Sequence, residues 1–174
     1  GRWPDAADGG GSSLELRDAR ADNGSAEAWG PSDETTRTSW KTYRWRGIAL
    51  PGQQGEPDLW REFAMGLVDG AGEIEVDDVS VVEAPDTTAK QLIVNGGFDG
   101  GSLARWRFLG NHRHSRVVPD REQPGNQVLR IVSTGASEYQ GNQIECTLTN
   151  NASIVNGREY EISFRARWRS GAHR

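Results

Sequence analysis

The sequence predicts an all-β sandwich, on three observations. Short runs of alternating apolar and polar residues recur along its 174 positions, turn-forming Gly, Pro, Asn and Asp separate them, and no stretch sustains a helical period. Twenty-two glycines suit such a turn-rich chain. Leu, Ile, Val and Phe are sparse, but seven tryptophans and a net charge of only −5 argue against disorder. Tryptophan buries a large area, and a weak net charge gives little self-repulsion.

Taken in order, "SSLELRD" alternates Leu14 and Leu16 with polar neighbours after a triple glycine. "TSWKTYRWRGIAL" sets Trp40 and Trp45 among β-favouring Thr and Tyr. "WREFAMGLV" fits a short helix or a strand; Gly66 and the following "DGAG" favour the strand, with Phe63, Met65 and Leu67 on one face. In "GEIEVDDVSVVE" the alternation of Ile74 and Val76 slips phase before Val79 and Val81, so a bulge at Asp77 and Asp78 is needed to keep both pairs on one face. Those two carboxylates make either the start of a cation site or an ordinary turn, since calcium wants six to eight oxygens. "EAPDTTAK" is the best linker. Beyond it "LIVNGG", "RWRFLG", "SRVV", "QVLRIVS", "NQIECTLT" and "EYEISFRARW" each read as a strand.

Composition excludes some classes. The acidic balance offers no broad field for phosphates, so nucleic acid is not an expected partner. The arginines of "RARWRSGAHR" alternate with Phe164, Ala166 and Trp168, the pattern of a strand with one wet face. Cys146 is alone and forms no internal disulfide. No apolar run approaches the roughly 20 residues that span a bilayer. The start carries neither a signal-peptide core nor a methionine, and the chain reads as a piece of a longer protein.

"LIVNGGFD…W", "GNQVLRIVS" and "NGREYEISFRAR" together resemble the N-terminal two-thirds of carbohydrate-binding modules of families 4 and 9, and their galactose-binding-like jelly-roll relatives. "GEIEVDDVSVVE" resembles the closing strand of the same modules, yet it comes first. The resemblance therefore implies a jelly-roll β-sandwich, as two incomplete modules in series: the C-terminal half of one over 38–85, a linker at 86–90, and the N-terminal part of a second over 91–174. "WPDAADGGGSSLELRDARADNGSAEAW" resembles the end of a lamin-tail domain, assigning 1–37 to that segment. Large exported bacterial proteins carry such combinations, which implies an extracellular or cell-surface location.

The same resemblance implies a noncatalytic binding function with a polysaccharide or glycan as partner; a structural spacer or adhesion module is the alternative. Sugar binding needs aromatic faces for pyranose C–H groups and planar polar groups for hydroxyls. Candidates are Trp106, His112, Arg113, Tyr139 and Trp168, with core packing as the competing reading of the two tryptophans. His112 and His114, two apart, would share one face of a strand, but without further ligands they make no zinc pattern. In "NGGFD", Asn95, Gly96 and Gly97 suit a tight turn with close backbone approach, and Phe98 can plug the sandwich. The resemblance also implies a structural calcium held by Asp99 and Asp77. Catalysis lacks a signature: Asp77, Asp78, Glu138 and Glu145 are not marked as a pair, and no nucleophile elbow or phosphate loop is present.

Overall fold

The computed structural model describes residues 14–18, 20–32, 38–51, 60–139 and 141–172. Most of the start of the lamin-tail-like stretch, residues 1–13, lies outside them, as does His173. The described part of that stretch forms a hairpin of β1 (Leu14–Leu16) and β2 (Trp29–Pro31). Trp29 Nε1 donates to the carbonyl of Asn23 at 2.9 Å, tying the connection to the hairpin.

The remainder is the all-β sandwich expected. Its strands are β3 (Lys41–Ile48), β4 (Glu62–Met65), β5 (Gly72–Glu83), β6 (Lys90–Gln91), β7 (Trp106–Phe108), β8 (Arg116–Pro119), β9 (Gln127–Ser133), β10 (Ile144–Thr147) and β11 (Glu159–Gly171). A large antiparallel sheet runs β3-β11-β5-β9-β8, with β6 added to β5, and a small one runs β4-β10-β7. Val76, Val79, Val81, Leu129, Ile131 and Tyr160 from the large sheet meet Trp106, Ile144 and Cys146 from the small one in a single core. Burial pushes the Cys146 thiol up to about 11.

The two stretches that resemble incomplete modules do not lie one after the other in space. β5 occupies the middle of the large sheet between β11 and β9, and β4 lies against β10. Strands from 38–85 thus fill places among strands from 91–174 within one sandwich.

The phase slip in β5 is resolved by a bulge. Asp78 takes φ 54°, the register shifts opposite Ser163 and Arg165, and Val76 and Val79 both reach the core. "LIVNGG" departs from the expected strand after one further ladder bond, from the Leu92 N–H to the Val81 carbonyl at 2.8 Å, because a side-chain oxygen takes the Val81 N–H that would come next. Gln91 Oε1 accepts from the backbone N–H groups of Val81, Leu92 and Ile93 at 2.9–3.1 Å, so pairing ends at β6 while Leu92 is fully buried. In the following turn positive φ falls on Asn95 and Phe98, not on Gly96 or Gly97. Gly96 supplies the close approach instead: a Cβ there would stand 1.8 Å from the carbonyl oxygen of Val79. Phe98 is completely buried against Trp106, with ring centroids 5.2 Å apart.

Candidate functional site

Alternation in β5 and β11 turns Glu75, Asp77, Arg165 and Arg167 away from the core, to the outer face of the large sheet. The arginine pattern leads sequence reasoning to expect a wet face there. Instead Arg167 is only 2 % exposed, Glu75 and Asp77 are each 1 %, and the face is roofed. Arg167 Nε donates to Glu75 at 2.6 Å, its Nη2 to Asp120 at 3.1 Å, and its Nη1 pairs with Glu122. Arg130 donates to Glu75 from the neighbouring strand at 2.6 Å. Trp40 lies across the guanidinium groups of Arg165 and Arg167, each 4.6 Å from its ring centroid.

Burial alone would raise the Glu75 carboxyl, but hydrogen bonds from Arg130 and Arg167 outweigh it and hold the group below its ordinary range. Asp120 is held low in the same way: burial opposes, while the Glu122 N–H, Asn126 and the charge of Arg167 prevail.

This network occupies the acid expected to hold calcium. Asp77 accepts from Arg165 Nη2 at 2.5 Å and from Asn126 Nδ2 at 2.9 Å, so a guanidinium already balances its charge. Asp99 is exposed in the turn before β7. The packing of β5 among the later strands does bring that turn to the bulge, where Val79 N–H donates to the Gly96 carbonyl at 2.9 Å. Among the described residues no three His, Cys, Asp or Glu side chains gather as a metal cage.

The second group of candidates lies in two loops at the end of the sandwich. Asn111 joins them: its Nδ2 donates to the carbonyls of Gly135 and Ala136 at 2.7 and 3.2 Å, and its N–H donates to Asn142 Oδ1. His112 sits in a 3-10 turn rather than a strand, so it and His114 part: His112 is fully buried and His114 exposed. His112 Nε2 accepts from the Leu67 N–H at 2.9 Å, and burial lowers its pKa, making it a neutral brace for the end of β4. Arg113 is exposed, and its Nε donates to His114 Nε2 at 3.2 Å. Tyr139 is 75 % exposed and lies over Gly141, where a Cβ would stand 2.8 Å from the ring.

Of the remaining candidates, Trp106 is enclosed, edge-on to Phe63 at 6.5 Å. Trp168 is half-buried on β11 and donates from Nε1 to the carbonyl of Gly171 at 3.0 Å. A ligand can therefore reach Arg113 and Tyr139 fully, Trp168 in part, and Trp106 and His112 not at all. Sequence reasoning missed Tyr43 and Trp45 on β3, both about half exposed. Their spacing of two in a strand was the available signal that they share a face.

Of the acids weighed for catalysis, Asp77, Asp78 and Glu145 are engaged in ion pairs, and Glu138 is exposed. Hydrogen bonds from Gln143 and then Arg107 hold Glu145 below the usual carboxylate range, against partial burial. Arg107 also pairs with Glu62 at 2.7 Å, completing a polar outer face on the small sheet. A general acid requires the opposite shift.

Comparison with protein families matches residues 90–174 to a family described as a carbohydrate binding domain. No curated protein and no solved structure matches the chain.

Proposed function

We propose that this chain is a noncatalytic glycan-binding β-sandwich segment of a larger exported bacterial protein. The observation that carries the reading is the match of residues 90–174 to a carbohydrate binding domain, a family that is typically noncatalytic. The loop end supports it, because Tyr139 offers an open ring beside a loop that presents Arg113 and His114 as hydroxyl partners. The extracellular location rests on the resemblance to exported proteins; among the described residues no helix is long and apolar enough to cross a membrane. The hairpin of β1 and β2 is compatible with a lamin-tail end over 1–37.

The enclosure of Trp106 and His112 favours a second reading, a structural spacer that keeps the fold and binds no sugar. Affinity electrophoresis through gels containing different soluble polysaccharides separates the two. Retardation by at least one polysaccharide is the expected result, and unretarded migration of the folded protein in every gel would leave the spacer. Running the same gels with calcium and with chelator tests the ion, which must compete with Arg165 for Asp77. With that site already neutralised, the expected migration is the same in both.

A further inference from the structure

The large sheet is wider than the small one that covers it, and β3 is its outer strand on the β11 side among the described residues. Tyr43, Trp45 and Gly47 stand opposite Phe164, Ile162 and Tyr160, so they share the core-facing side of the sheet. One strand further in, Ile162 and Phe164 pack against the core. At β3 the cover has run out: Tyr43 is 49 % and Trp45 55 % exposed. Two large aromatics left half in water, side by side, are costly to keep unless something uses them.

Their orientation is specific. The Tyr43 ring stacks on Phe164, with centroids 5.4 Å apart and planes 23° from parallel. The Trp45 indole lies down along the strand over Gly47, where a Cβ would come within 2.5 Å of Cζ2 and 2.7 Å of Cη2. Only a bare glycine admits that pose, which presses one indole face to the backbone and leaves the other open. The opposite side of β3 is anchored by ion pairs of Arg44 with Glu161 at 3.2 Å and of Arg46 with Asp86 and Glu159. The rings are thus held on a braced strand before any ligand arrives, which lowers the ordering cost of binding.

We propose that Tyr43 and Trp45, laid flat by Phe164 and Gly47, form a stacking platform for consecutive sugar rings of an extended, neutral polysaccharide chain. The proposal rests on the glycan-binding reading and places the contact outside the segment that carries the family match. Pyranose C–H groups are weakly positive and suit the negative faces of open aromatic rings. Arg44 and Arg46 point to the other side of the sheet; Lys41, opposite Ala166, shares the rings' side but stands at the start of the strand, so the two ring faces themselves form an uncharged surface that suits an uncharged chain. Residues two apart on a strand are separated by about 7 Å, which sets the rings in line for a linear chain rather than for one terminal sugar.

The test uses the full chain in affinity gels containing hydroxyethylcellulose, linear xylan or unbranched mannan, with free galactose as competitor. Expected are retardation by at least one linear polymer, no competition by galactose, and at least a tenfold weaker interaction for Trp45→Ala. Trp45→Tyr should retain part of the binding. Gly47→Val, which lifts the indole, should weaken it although no ring is removed. Circular dichroism and thermal melts identify any variant that has not folded, in which case Tyr43→Ser carries the test. Wild-type binding unchanged in folded Trp45→Ala and Gly47→Val would overturn the platform while leaving glycan binding in place. No retardation of wild type in any gel would overturn both. Gel filtration gives a further way to fail: a wild-type dimer that Trp45→Ala converts to monomer would make this face a contact between copies.

Discussion

The two sides of the large sheet invert the usual relation of polarity to water. On the outer side, at β5 and β11, carboxylates and guanidiniums are sealed beneath Trp40 and the loop carrying Asp120 and Asn126. On the inner side, at β3, aromatic rings stand open. The sealed charges have every reason to be structural, since each is answered by an opposite charge within hydrogen-bond reach. The open rings contribute little to the core. Exposure set against polarity therefore separates what holds this sandwich together from what it offers to a partner.

Breaking the sealed side should have the largest effect. Arg167→Ala leaves Glu75 and Asp120 buried without their shared cation, and a loss of about 3–5 kcal/mol is expected in urea unfolding. Gly96→Ala drives a methyl group into the Val79 carbonyl and should cost about 1–3 kcal/mol, read in the same experiment.

Acid probes the same side without mutation. Glu75 and Asp120 have folded-state pKa values below the ordinary 4.5 and 3.8, so their contribution is complete above those values and is lost as pH falls through the lower folded ones. The urea midpoint should decline as pH drops below about 4.5, and the decline should be shallower in the Arg167 variant. The smallest effect belongs to the open side. Trp45→Ala should change stability by no more than about 1 kcal/mol, despite removing one of the largest side chains, and a larger loss would make the ring a structural member.

Alternation made most strands legible, including the bulge at Asp77 and Asp78, which the change of phase between Val76 and Val79 required. What stayed hidden was nonlocal. Nothing within "GEIEVDDVSVVE" says that it pairs with strands more than fifty residues further on, on both sides. "RARWR" reads as a wet face because the covering Trp40 and Asp120 are distant in sequence. Strand-borne Tyr43 and Trp45 look like core residues, since their exposure depends on how narrow the facing sheet is, with three strands among the described residues. Gln91 ended a strand that its apolar neighbours predicted, by offering a side-chain oxygen where the ladder would have continued. Among the candidate residues, the exposure of Tyr139 and Arg113 agrees with their residue type and polar surroundings, whereas the parting of His112 from His114 depended on a 3-10 turn that spacing alone does not reveal.

The central place of β5 has a consequence during synthesis. It emerges from the ribosome well before β9 and β11, and must wait with both hydrogen-bonding edges bare. A naked apolar strand in that position invites pairing with a neighbouring nascent chain. Glu73, Glu75, Asp77 and Asp78 give the waiting strand like charges that repel its copies; Arg130 of β9 then answers Glu73 and Glu75, and Arg165 and Arg167 of β11 answer Asp77, Asp78 and Glu75 as the sheet closes. The acids that pair in the finished fold thus also carry the like charge that guards a bare strand edge against self-pairing.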